Sequence, residues 1–276
     1  VNTGELAVGS GQSLTLLGRQ VINTGRLSAP DGDLLVMAVP GEKLVRLSPT
    51  GSLLELELET VPDEFAQQPA SALAVSDLPA LLTGANDLGM ATDITVNSDG
   101  TVSLSGSSLQ IPLEPGTTIV SGQIEANDTI AILGDQIALV DALVDASGDT
   151  GGGTVLIGGD RLGAGSVPNA AATVIDETTV VRADASDNGD GGIIIVWGTN
   201  LLRSLGQLSA QGGPNGGDGG FIETSGLNLL DIRTTPDVTA AIGTGGLWLL
   251  DPANIRIVEG TTADNVSGVN PFEVGG

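Results

Sequence analysis

Gly152-Gly153-Thr154-Val155-Leu156-Ile157-Gly158 is written again, with variation, three times further along the chain. The copies are Gly191-Gly192-Ile193-Ile194-Ile195-Val196-Trp197-Gly198, Gly219-Gly220-Phe221-Ile222-Glu223-Thr224-Ser225-Gly226 and Gly245-Gly246-Leu247-Trp248-Leu249-Leu250-Asp251-Pro252. Each is a glycine pair followed by a short run of apolar or β-branched residues, and each run is stopped by Gly or by Asp-Pro. Runs this short and this rich in strand formers read as strands, not helices. The pairs begin 39, 28 and 26 residues apart. The last two spacings fit one coil of a stacked β solenoid, and the first fits a coil with an insertion.

The N-terminal part repeats as well. Asn2-Thr3-Gly4-Glu5-Leu6 and Asn23-Thr24-Gly25-Arg26-Leu27 align at a spacing of 21. Continued in that register, Gly11-Gln12-Ser13-Leu14 meets Gly32-Asp33-Leu34-Leu35, and Leu16 meets Met37. Farther on, Leu133-Gly134-Asp135 and Gly158-Gly159-Asp160 share a Gly-Asp corner. A coil cannot bury its own apolar face, so repeats of this kind must stack on neighbours. The expected fold is all-β, a parallel right-handed β-helix of about ten coils and about 50 Å in length at the inter-strand spacing. An antiparallel sandwich, the other all-β architecture, does not call for such register-preserving repeats.

The expected organisation is coils over 1–60, an insertion with a short helix over 61–84, and coils again over 85–260. A loop insertion lies near 161–179, and an irregular tail covers 261–276. The helix is placed near 70–84, where Asp77 can cap it and Gly84 end it. Leu54-Glu55-Leu56-Glu57-Leu58-Glu59 alternates with period two and reads as a strand with one acidic face. The chain opens inside a repeat, which makes a fragment or processed piece of a longer protein the expectation.

Composition narrows the function. Nine Lys and Arg against 34 Asp and Glu leave a net charge of −25 among the 276 residues. Such a field repels phosphate backbones and anionic lipid heads, which argues against nucleic-acid and membrane binding. There is no Cys and no His, so disulfides, thiol catalysis and the commonest general base are excluded. Aromatic residues make up only 2% of the chain, which suits a narrow aliphatic core and gives few platforms for sugars. No phosphate loop is present, since Gly189-Asp190-Gly191-Gly192 is followed by no Lys-Ser/Thr.

The acidic corners offer one chemistry. Asp184, Asp187, Asp190 and Asp218 lie among glycines, with oxygen ligands at short spacing in Asp187-Asn188-Gly189-Asp190, and are candidate calcium ligands. The calcium-binding nonapeptide itself is not reproduced in register, and turn chemistry explains the same residues. Trp197 and Trp248 read either as sugar platforms or as core fillers. No catalytic residue is assigned, and no cofactor other than possible calcium.

Val21-Ile22-Asn23-Thr24-Gly25-Arg26-Leu27-Ser28-Ala29-Pro30, Ala38-Val39-Pro40-Gly41-Glu42-Lys43-Leu44, Gly151 to Asp160 and Leu249-Leu250-Asp251-Pro252-Ala253-Asn254 together give the chain a family likeness. It resembles the filamentous haemagglutinin-like exoproteins of two-partner secretion, of the cyanobacterial type, in the region downstream of the secretion domain. The resemblance implies an outer-membrane two-partner secretion transporter as partner during export, and an extracellular or cell-surface location. It implies a structural or adhesive role as a stalk or fibre, without catalysis. End-to-end self-assembly and surface carbohydrate are the further partners expected. The alternatives are a polysaccharide-active β-helix enzyme, lyase or glycosidase, and a calcium-binding surface module.

Overall fold

The structure is a computed structural model. It describes residues 1–39, 115–165 and 167–252, together with the backbone of five strands between residues 44 and 112. Three parallel sheets wind around a common core. The first holds Glu5–Ala7, Arg26–Ala29, Gln123–Ala126, Leu143–Asp145, Val180–Arg182 and Gln207–Ser209. The second holds Leu14–Gly18, Leu34–Ala38, Thr129–Leu133, Thr154–Ile157, Ile193–Gly198, Phe221–Gly226 and Leu247–Pro252. The third holds Val21–Asn23, Thr117–Val120, Gln136–Leu139, Ala172–Ile175, Leu201–Ser204 and Leu229–Ile232. The chain visits first, second and third sheet in turn and then repeats, which is a parallel β-helix. The seven strands of the second sheet count seven coils among the described residues, and their stack is about 30 Å deep at ~4.8 Å per coil.

Alternation within each strand fills the core. Leu27, Ile124, Val144, Val181 and Leu208 form one buried column, one residue per coil on the first sheet. On the second sheet Val36, Ile132, Ile157 and Val196 form another. Each fully buried aliphatic side chain contributes about 1.5–3 kcal/mol relative to exposure. No single residue dominates, because every layer rests on the one below.

The repeats find their meaning at the corners. Asn2 Nδ2 donates to Asn23 Oδ1 at 2.7 Å inside the stack, and Asn23 Nδ2 donates to the Gly25 carbonyl at 3.0 Å. Glu5 pairs with Arg26 and Leu6 with Leu27, so the spacing of 21 holds on the first sheet. It does not hold on the second. Leu14 pairs with Leu34 and Leu16 with Val36, a spacing of 20. Both coils turn with the same backbone bond, Gln12 N–H to Gly9 and Gly32 N–H to Ala29. The first coil therefore spends one residue more before its turn, and the expected match of Leu16 with Met37 becomes Leu17 with Met37.

Two further expectations change. Leu44–Leu47 and Leu56–Glu59 are strands, but they pair antiparallel with each other and belong to no coil. Ile94–Val96, Thr101–Leu104 and Gln110–Pro112 form a second antiparallel sheet. The coils expected to run to residue 60 and to resume at 85 thus break off near Val39 and resume at Gly116. Val39 N–H bonds to the Gly18 carbonyl at 2.8 Å and Gly116 N–H to the Arg19 carbonyl at 2.6 Å. Departure and re-entry share one corner of the first coil, so the excursion leaves the stacking register intact. The helix expected near 70–84 and the tail at 261–276 lie outside the described residues. The extra length read near 161–179 sits between Ile157 and Ala172, whereas Ala172–Ile175 within that range is an ordinary third-sheet strand.

Gly25 shows why glycine recurs. A Cβ there would collide with the Gly4 carbonyl of the coil below, whereas a Cβ on Gly4 would meet nothing. Gly25→Ala is therefore expected to lower stability by about 1–3 kcal/mol through overpacking. Gly4→Ala, the same substitution one coil earlier, should stay within about 0.5 kcal/mol of wild type. Urea denaturation midpoints of the two variants check this. In the same assay, joining Val39 directly to Thr117 should leave a cooperatively unfolding solenoid.

Candidate functional site

Between first and second sheet, coils four to seven extend their corners into loops built mostly of Gly, Asp, Asn, Ser, Thr and Ala. Each loop runs out and back, and the loops stack. Gly148 bridges in parallel to Ala185, and Gly212 to Ala240. The outgoing and returning layers lie backbone to backbone. A Cβ on Gly191 would collide with the Ala210 carbonyl, and one on Gly219 with the Val238 carbonyl. The glycine pairs that decide the fold are the spacers of this thin fin.

All four candidate calcium ligands sit on the fin, and each accepts at least one hydrogen bond there. Asp184 Oδ1 accepts from Ser209 Oγ at 2.6 Å and from Gln211 N–H at 2.7 Å. Asp187 accepts from Asn215 Nδ2 at 2.6 Å and Asn188 Nδ2 at 3.1 Å. Asp190 Oδ1 accepts Asp218 N–H at 2.8 Å, and Asp218 Oδ1 accepts Thr244 N–H at 2.7 Å. The last two make a ladder, each carboxylate holding the backbone of the next coil. Among the described residues no group of three or more acidic side chains converges as a metal site. The Thr244 hydrogen bonds hold the Asp218 carboxyl below its ordinary range. Burial pushes Asp237 upward, but donors from Thr239 and Gln211 outweigh it and leave it lowered.

A shallow cleft of ≈ 430 Å³ follows the base of the fin across three coils. Gly192, Gly220 and Gly246 floor it, Asp190 and Asp218 line one side, and Ile193, Phe221 and Leu247 the other. Ile193 and Leu247 are 41% and 58% exposed.

The second feature lies on the outer face of the second sheet. Register places Leu156, Ile195, Glu223 and Leu249 in one outward column. Glu223 is the one carboxylate among them, yet it is 0% exposed. The strap after Ile157 covers it. Asp160 Oδ1 accepts Arg161 N–H at 2.6 Å and shapes a short 3₁₀ turn, Arg161–Gly163. Leu162, at φ 56°, points its N–H to Glu223 Oε1 at 2.9 Å. Ser225 Oγ donates to the same oxygen at 2.7 Å. Arg161 stacks its guanidinium 4.8 Å from the Phe221 ring centroid. Gly163 lies against the Trp197 indole so closely that a Cβ would collide with the ring. Glu223 Oε2 is buried and has no hydrogen-bond partner among the described residues. Leaving a buried polar atom unpaired costs about 1–3 kcal/mol, more for a charged group.

Neither tryptophan is an open platform. Trp197 is buried beneath the strap and donates Nε1–H to Thr199 Oγ1 at 3.1 Å. Trp248 packs against the core and donates to Thr224 Oγ1 at 3.0 Å. Sequence reading passed over Glu223. Its signal is a carboxylate standing in register where neighbouring copies carry Ile195 and Leu249.

No family model matches the chain, and no curated protein matches it. Among solved structures it is similar to the HMW1 secretion domain from Haemophilus influenzae, at 18% identity and a TM-score of 0.43. The likeness covers 91% of this chain and 65% of that one. Among the described residues no helix is long and apolar enough to cross a membrane.

The lowered carboxyls set an acid response. A group whose folded pKa is depressed stabilises the fold above its unfolded pKa and loses that contribution as pH falls through the folded one. The melting temperature is therefore expected to drop as pH falls below about 4, the ordinary carboxylate range. Asp237→Asn should lower the neutral-pH melting temperature and flatten the acid limb. A melting series from pH 7 to pH 2.5 on both proteins checks the sign.

Proposed function

We propose that this chain is a structural segment of a large secreted cell-surface protein, serving as an acidic, rigid stalk or fibre and not as an enzyme. The observation that supports it most is the uninterrupted parallel ladder of the seven-stranded second sheet. Such a ladder transmits load along its axis through backbone hydrogen bonds, and its repeats contact only their neighbours. The acidic surface suits solubility and separation from other acidic surfaces. Export through an outer-membrane two-partner secretion transporter and an extracellular location belong to this reading, and both rest on the sequence resemblance. So do an adhesive role toward surface carbohydrate and the placement downstream of a secretion domain.

End-to-end association is the further partnership that this reading expects. Light scattering over a wide concentration range, with negative-stain imaging, tests the fibre reading. Concentration-dependent growth into straight rods is the expected result, and a strict monomer at every concentration would remove head-to-tail assembly.

A calcium-binding role would show as chelator-sensitive melting. Because no three acidic side chains converge among the described residues, the melting temperature is expected to shift by less than about 2 °C on chelation, under 1 kcal/mol.

A further inference from the structure

The strap treats the outer face of the second sheet as a ligand would. Three consecutive residues each make a different kind of contact there. The Arg161 guanidinium lies over Phe221 at 4.8 Å, the Leu162 N–H reaches Glu223 Oε1 at 2.9 Å, and Gly163 fits against Trp197 where no Cβ has room. The leucine itself is 52% exposed. The pattern recognised is Arg-x-Gly in a tight turn, read by an aromatic ring, a carboxylate and an indole.

We propose that Phe221, Glu223, Ser225 and Trp197 form a binding site for an Arg-x-Gly peptide turn, occupied in cis by the chain's own strap. Two observations make this more than packing. Glu223 carries a second oxygen, Oε2, fully buried and without a partner among the described residues, so Arg161–Gly163 satisfies only half of the carboxylate. And the strap holds itself at a cost, with Leu162 at φ 56° in a conformation that L side chains other than Asn and Asp rarely take. A segment that places a second donor on Oε2, or adopts the turn with glycine at the middle position, is the better ligand and displaces the strap. The crossing between the two sheets does not require the strap's length. Coil three crosses from second to third sheet with only Gly134 and Asp135 between its strands.

The test replaces Gly158–Ala171 with the Leu-Gly-Asp crossing of coil three, which vacates the site. The probe is a blocked peptide Gly-Asp-Arg-Leu-Gly-Ala-Gly, titrated to millimolar levels, the effective concentration a short tether supplies. Saturable NMR shifts at Phe221, Glu223, Ser225 and the Trp197 indole are expected. Replacing the peptide's arginine or middle glycine by alanine should weaken binding at least about tenfold, and wild-type chain should bind at least about tenfold more weakly because its strap competes. A folded variant that shows no saturable shifts, or binds a scrambled peptide equally well, overturns the proposal.

Should the shortened variant fail to fold, the full chain still decides. Gly163→Ala is expected to speed amide exchange at Arg161–Gly163 at least about tenfold while Ile194–Val196 stays unchanged. Leu162→Gly is expected to slow exchange at Arg161 and Gly163. If neither substitution changes strap exchange relative to the coils, the strap is not a separable occupant and the site does not exist.

Discussion

Everything in this molecule depends on how closely one backbone can lie on another at a corner. Strands stacked in parallel hold a fixed separation, and the corners must follow at that same separation or the ladder opens. At Gly25 the neighbouring carbonyl stands where a side chain would begin, and at Gly191 and Gly219 the outgoing layer of the next coil does the same. The corner residues are thus chosen by exclusion. Leu, Ile, Val and Ala fill the inside, but the absence of a Cβ at a few points decides whether the coils close.

Insertions are admitted where that constraint is weakest. The excursion after Val39 and the strap after Ile157 both leave from the crossing between second and third sheets. In its simplest form that crossing takes two residues, as at Thr199-Asn200 between Ile193–Gly198 and Leu201–Ser204. Lengthening a loop whose ends are held by two strands costs little entropy for each added residue. The first-to-second crossing carries extra length differently. It stacks it as a fin, coil on coil, with 8, 10 and 11 residues after Asp145, Arg182 and Ser209. One corner varies singly, the other as a stack of neighbouring loops, and the two unlike surfaces of the solenoid follow from that difference.

Much of the fold was legible because its period is written in residues with few alternative uses. The glycine pairs before short apolar runs located the second-sheet strands at 154–157, 193–198, 221–226 and 247–252. Asn2-Thr3-Gly4 and Asn23-Thr24-Gly25 marked a real inter-coil bond. What was not legible is pairing direction. Leu44–Leu47 and Thr101–Leu104 look like any other short strand, because side-chain alternation is the same in parallel and antiparallel ladders. The acidic corners were legible, but their partners were not. Asp190 and Asp218 look like ligands from their spacing, and only the stacked backbone shows the N–H group that each of them accepts. Glu223 was hidden for the opposite reason. It sits in a run that reads as a half-polar strand, and its burial comes from a strap dozens of residues earlier.

The crossing at Val39 also bears on the order in which the chain becomes structured. Most coils close on a neighbour only 19 to 39 residues away in sequence, as Gln136 does on Thr117 and Ile193 on Thr154. A polypeptide emerging N-terminus first from a narrow exit can lay down such coils one at a time, each docking on the last and drawing more chain out behind it. The second coil is different. Its third strand, Thr117–Val120, arrives only after the whole excursion has passed. That strand closes on the first coil across 97 residues, Thr118 on Val21, so this one closure carries a larger loop entropy than the closures of the coils that follow.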